Sequence, residues 1–194
     1  MAKLFMMVGI PASGKSYYAA KIAERDQAVI YSSDVVRKKL KMDPADNDQN
    51  IRLFDIMYDM IREELAEGHN VILDSTNTYR MYRKPFLQSL TEETEVTGIL
   101  CMRQIENCLR ANQNREGVID ENVIRHMYEE YDLPLYEDGF DRFEIVYPDE
   151  DEYSLDMIAE DKQNIMLYRS MFLNNGMKRE DKLHKAQKAY ANLV

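Results

Sequence analysis

Short apolar runs alternate with stripes of helical spacing along the first three quarters of the chain. Residues 3–9 (KLFMMVG) are apolar and end in glycine, the pattern of a buried strand. Residues 15–25 (KSYYAAKIAER) read as a helix, and 28–32 (AVIYS) as a second strand. A helix start follows at Asp34, with Ser33 or Asp34 able to cap it. Residues 43–49 are turn-rich. Ile51, Phe54, Tyr58, Ile61 and Leu65 then recur at helical spacing up to Gly68, a C-cap residue. Residues 70–74 (NVILD) predict a third strand, 79–90 a helix, 95–101 (EVTGILC) a fourth strand, 104–115 and 120–131 helices, and 143–147 (FEIVY) a fifth strand.

Strands separated by helices need crossover connections. The expected fold is therefore α/β: a parallel five-stranded sheet with helices on both faces. The alternation stops at Pro148-Asp149-Glu150-Asp151-Glu152. Beyond it, 155–173 and 178–191 are helical in pattern, with Asn175-Gly176 as a stop signal between them. Two parts are expected, a main domain over 1–148 and a helical extension over 149–194.

Composition narrows the class. Of 194 residues 45% are hydrophobic, enough for a core, and no apolar run approaches the length of a membrane span. The N-terminal apolar stretch is too short for a signal-peptide core and cleavage site. Two cysteines, Cys101 and Cys108, form neither a disulfide framework nor a zinc site by spacing. A cytoplasmic protein with no membrane association is expected. The 25 basic and 35 acidic residues give a net charge of −10, which disfavours a globally basic nucleic-acid binder but leaves a local basic cleft open.

Residues 9–16 read Gly9-Ile10-Pro11-Ala12-Ser13-Gly14-Lys15-Ser16, the G-x-x-x-x-G-K-S phosphate-binding loop, between a strand and a helix. Backbone N–H groups must wrap a polyphosphate closely, and a Cβ at Gly9 or Gly14 would obstruct that turn. Pro11, Ala12 and Ser13 complete the loop. Lys15 reaches the β- and γ-phosphates, and the Ser16 hydroxyl takes a Mg²⁺ position. No N-K-x-D base-reading segment is present, so ATP rather than GTP is expected.

Three further segments lie where a parallel sheet would bring them to the same crevice. Asp34, just past the second strand, is placed to accept the proton of an attacking hydroxyl, with Arg37 one helical turn on to grip an acceptor phosphate. Asp74 ends the third strand, as a second magnesium-handling carboxylate does. Arg110 and Arg115 lie in a stretch reading as a helix-to-loop hinge before Glu116-Gly117, suited to a lid that brings an arginine to transition-state charge.

In this order the four segments resemble the kinase domain of polynucleotide 5′-hydroxyl kinases and related P-loop kinases. The likeness rests on Gly9 to Ser16, on Asp34 to Arg37 as D-x-x-R, on Asp74-Ser75-Thr76-Asn77 as D-x-T-N, on Arg110 to Arg115 and on Pro134 to Asp141, across residues 4–147. It implies transfer of the ATP γ-phosphate to a hydroxyl, with Asp34 as base, Arg37 and Thr76 (Asn77 beside it) on the acceptor, and Arg115 as lid arginine. Arg110 is then a donor-nucleotide contact. Arg110 and Arg115 are five apart, a spacing unlike the family's, which leaves open which is the lid residue. The D-x-D-G-T segment of the phosphatase half that some members carry is absent from the sequence.

The acceptor is less defined. Basic residues group at 37–41, at Arg80, Arg83 and Lys84, and at 178–188. The first two groups follow strand ends, and such local funnels suit the 5′ end of a nucleic acid. Net charge favours the alternative, a small-molecule or nucleotide-metabolite acceptor. A non-catalytic ATP-binding module is a third reading, one that would leave Asp34 and Arg37 idle.

Overall fold

The computed structural model describes residues 1–132 and 134–148. The elements run β1 (Ala2–Val8), α1 (Lys15–Asp26), β2 (Val29–Ser32), α2 (Ser33–Leu40), α3 (Asn47–Ala66), β3 (Val71–Asp74), α4 (Arg80–Gln88), β4 (Thr94–Cys101), α5 (Ile105–Asn112), α6 (Glu121–Glu129), a 3-10 turn (Tyr136–Asp138) and β5 (Arg142–Val146). The five strands form one sheet in the order β2-β3-β1-β4-β5, every neighbouring pair parallel. The expected fold class is thus the observed one. The expected extension over 149–194, with the basic group at 178–188, lies outside the described residues.

Side chains of β1 alternate between two cores because strand residues point to opposite faces. Leu4, Met6 and Val8 pack with Leu53, Met57 and Ile61 of α3 and Phe86 and Leu87 of α4. Phe5 and Met7 pack with Ala19 and Ile22 of α1 on the other face, together with Ile72 and Ile99. A third cluster, Cys108 and Leu109 of α5 with Ile124 of α6, closes on Ile10 and so ties α5 and α6 to the phosphate-loop sequence. These helices cover both faces, and the C-terminal ends of β1, β2, β3 and β4 share one edge.

Three boundaries differ from the sequence reading for identifiable reasons. Helix α3 starts four residues early, because Asp46 accepts hydrogen bonds from the Asp48 and Gln49 amides and caps it. Its far end is as expected: Gly68 (φ 87°) follows the cap, with Gly68 N–H donating to Leu65 O and His69 N–H to Glu64 O, a Schellman motif. Helix α2 has Ser32 in the capping position without a side-chain cap bond, so neither Ser33 nor Asp34 caps it. Helix α5 ends at Asn112, which leaves Arg115 in the loop beyond it.

Candidate active site

The loop between β1 and α1 is built by tight backbone. A Cβ on Gly9 would lie 2.6 Å from Ser13 Oγ and 3.0 Å from the Cys101 carbonyl oxygen, so no larger residue fits there. Gly14, at φ 90°, sits where L side chains are strained, and a Cβ would press on Pro148 at 3.2 Å. Pro11 and Ala12 form a turn closed by Ser13 N–H donating to Ile10 O at 3.3 Å. Gly9 N–H donates to Thr76 O at 3.0 Å, which sets the Asp74–Asn77 segment directly against the loop.

Lys15 opens α1 and is buried, its Nζ donating to Ile10 O at 2.7 Å. Burial holds its pKa below the ordinary lysine value, opposed by Cys101 and Asp74 nearby. Ser16 Oγ donates to Asp74 Oδ2 at 2.7 Å, across 58 positions of sequence. Burial raises the Asp74 pKa, while the Ser16 hydroxyl and the Lys15 charge pull it down. A hydroxyl and a desolvated carboxylate side by side at a loop of this kind are a hard-oxygen donor pair suited to Mg²⁺. The two residues assigned to the metal therefore fit it.

Asp34 sits in the first turn of α2 with its side chain 66% exposed. It lies between two arginines. Arg37 Nη1 donates to Oδ1 at 3.2 Å and Arg115 Nη2 to Oδ2 at 3.0 Å. Arg37 is further held by Asn50 of α3, whose Oδ1 accepts from Nη2 at 3.1 Å. Lys38 and Glu116 form a second ion pair between α2 and the loop after α5, at 3.1 Å. Three candidates read from two separate segments, Asp34 and Arg37 from one and Arg115 from the other, thus meet in one cluster. Arg110 does not join it; it is on α5, hydrogen-bonded to Asn107.

Asn77 adopts a left-handed backbone conformation (φ 47°), and its Nδ2 donates to Met7 O at 2.7 Å, pinning the loop after β3 to the end of β1. Thr76 is half-buried beside it.

The basic group after this loop is not the open funnel that its sequence suggests. Arg83 is buried and paired with the buried Asp138 at 2.9 Å, and also donates to the Asn77 and Thr78 carbonyls. Arg80 bonds the other Asp138 oxygen at 2.6 Å and pairs with Glu137. These charges fasten α4 to the 3-10 turn and hold the loop after β3 in place.

Two residues at the site had no part in the sequence reading. Asn50 lies just past the turn-rich stretch 43–49 and belongs to the first turn of α3. Arg103, just past β4, donates from Nη1 to Ala12 O at 3.0 Å. The signal for Arg103 was its place alone: a cation directly beyond the strand that neighbours β1.

Comparison with known proteins agrees with this architecture. A family profile described as AAA domain (AAA_33) matches residues 4–134. The chain is 25% identical to the L-seryl-tRNA(Sec) kinase of Methanococcus maripaludis over 197 residues, covering 98% of this chain and 74% of that protein. Among solved structures, a chain of the Pnkp1/Rnl/Hen1 RNA repair complex superposes with a TM-score of 0.57 at 20% identity, over 68% of this chain and 46% of that one. This chain thus spans under half the length of that repair protein. The Mycobacterium tuberculosis APS kinase, in complex with AMPPNP and APS, gives 0.58 at 16% identity over 85% and 97% of the two chains. These structures share a P-loop kinase-like fold with the chain, and by its phosphate loop, its sheet order and the profile match over most of its described length, the chain belongs to the AAA domain (AAA_33) family.

Proposed function

We propose that the protein transfers the γ-phosphoryl group of ATP to a hydroxyl carried at an end of a nucleic acid. The observation that carries the reading is the placement of Asp34: an exposed carboxylate flanked by Arg37 and by the lid-segment Arg115, at the strand edge that bears the phosphate loop. Asp34 makes no capping bond to the helix it opens, and its two oxygens are engaged by these arginines instead.

In this reading Asp34 accepts the proton of the acceptor hydroxyl as that oxygen bonds to phosphorus and the bond to the ADP oxygen breaks. Arg37, oriented by Asn50, holds the acceptor phosphate, with Thr76 and Asn77 beside it. Arg115 leaves Asp34 to meet charge developing on the transferred group. Lys15 and the loop amides hold the donor phosphates, and Arg110 lies on the donor side. Ser16 and Asp74 would hold Mg²⁺, which when bound neutralises phosphate charge.

The nucleic-acid acceptor is supported by the sequence resemblance to 5′-hydroxyl kinases and by the tRNA-acting relative that aligns over almost the whole chain. A small-molecule acceptor is the second reading. It is favoured by the pairing of Arg80 and Arg83 with Asp138, which removes one basic group from the cleft, and by the net charge of −10. Transfer of labelled γ-phosphate from ATP to a panel decides: 5′-hydroxyl oligonucleotides, serine-charged tRNA, nucleosides and sugars. Labelling of sugars or nucleosides alone would replace the nucleic-acid reading with the second one. No labelling, with ATP bound normally, would remove both.

A further inference from the structure

We propose that Arg103 is a positioning residue for the phosphate loop: its guanidinium clamps a turn that alanine adopts poorly, and so holds the loop in its nucleotide-binding shape. The inference rests on the reading of residues 9–16 as the ATP site.

Residues 10–13 form a four-residue turn. Pro11 occupies its second position, Ala12 its third with φ 61°, and Ser13 N–H donates to Ile10 O at 3.3 Å. Proline second and a positive φ third are the marks of a type II turn, whose third position favours glycine. Here it carries a Cβ, which strains an L-residue in the left-handed region. The other non-glycine residues with positive φ among the described residues are accounted for. Gln27 and Lys41 end helices, and Asn77 is a residue type that tolerates the conformation. Ala12 has neither excuse.

The peptide joining Ala12 to Ser13 is gripped at both ends. Its N–H meets Ile10 O, and its carbonyl accepts from Arg103 Nη1 at 3.0 Å. Ile10 O also receives Lys15 Nζ at 2.7 Å, so the turn and the phosphate-binding lysine share one acceptor. Opening the turn by swinging the 12–13 peptide away, so that Ala12 could leave its positive φ, would break the Arg103 bond and release Ile10 O together. Arg103 leaves β4, the strand paired with β1 in register from Ala2 to Val8, so the clamp is anchored on the same rigid sheet as the loop. A charged donor on a carbonyl is among the stronger hydrogen bonds in a protein.

The test has two readouts. Without nucleotide, amide exchange at Ser13 reports the turn. With Mg·ATP, calorimetry reports affinity. Arg103→Ala should speed Ser13 exchange and weaken ATP binding by on the order of tenfold, as expected for loss of a charge-assisted bond. Arg103→Lys should keep most of both. In the A12G background, where the third position is unstrained, Arg103→Ala should cost distinctly less than in the wild-type background. Equal losses in both backgrounds would mean that Arg103 touches the nucleotide directly and would overturn the clamp. Unchanged Ser13 exchange in Arg103→Ala would overturn it as well. Wild-type protein that binds no ATP would remove the site reading instead, and the exchange measurement would still judge the clamp. If Arg103→Ala does not fold, Arg103→Gln and Arg103→Lys are compared in the two backgrounds by the same measurements.

Discussion

Arg115 donates from Nη2 to Asp34 Oδ2 at 3.0 Å, joining two residues 81 positions apart. The loop after α5 and the first turn of α2 meet through this bond, so the proposed base and the proposed lid arginine neutralise each other. Both side chains keep solvent contact, 66% for Asp34 and 29% for Arg115, so the pair is weak enough to exchange partners.

Asp34→Asn should lower kcat by roughly 10²–10⁴-fold, the usual contribution of general-base catalysis. Stability should hardly change, because Asp34 caps nothing and its two ion pairs are partly exposed. ATP affinity should survive. Turnover assays and thermal midpoints check this; an asparagine variant with wild-type turnover would falsify the assignment.

Arg115→Ala should reduce kcat more than it alters the affinity for either substrate, since its proposed contact forms in the transition state. Arg110→Ala is the companion variant, and it should act on ATP affinity. Steady-state kinetics on both variants assign the lid arginine. The opposite pattern would transfer that role to Arg110.

Arg37→Ala should raise the KM for a phosphate-bearing acceptor and leave ATP affinity near wild type. Asn50→Ala should do the same to a smaller extent, because it acts by holding the Arg37 guanidinium at 3.1 Å. If either variant loses ATP binding first, Arg37 belongs to the donor side.

Asp138→Ala should destabilise the fold by about 3–5 kcal/mol, because it leaves the buried Arg83 guanidinium without its carboxylate. Chemical denaturation measures this. A loss under 1 kcal/mol, at the scale of an exposed pair, would show that Arg83 finds other compensation.

Asp74→Asn should abolish Mg²⁺-dependent transfer and yet raise the thermal midpoint. The Asp74 carboxyl has its pKa raised, chiefly by burial, above the ordinary 3.8. For an acid with a raised folded pKa, the neutral form is the one that the fold favours. This group's contribution to stability is therefore lost as pH rises from the ordinary value through the folded one. Asparagine keeps an acceptor for Ser16 and carries no charge. The midpoint difference between variant and wild type should widen over that pH interval. A difference independent of pH would sink the argument.

The sequence by itself determined the sheet, the phosphate loop and most of the residues now in the site. Alternating strand and helix periods admit few topologies, and Gly9 to Ser16 is a motif whose backbone requirements are written in its residue types. Asp34, Arg37, Asp74 and Arg115 were legible as candidates because Asp74 ends a strand, Asp34 and Arg37 open the helix after another and Arg115 follows a helix, and parallel strands bring such ends to one edge. Distances across the sheet were not legible. No local pattern says that Arg115 reaches Asp34 rather than Arg110 doing so, since the course of the chain there depends on α5 stopping at Asn112 and on Cys108, Leu109 and Ile124 packing against Ile10. Charge type also misled at Arg83. Next to Arg80 and Lys84 it reads as part of a surface funnel, and only the fold puts Asp138, 55 positions on, beneath it. Arg103 and Asn50 act through partners 91 and 13 positions away, and long-range pairing of single side chains is decided by tertiary packing alone.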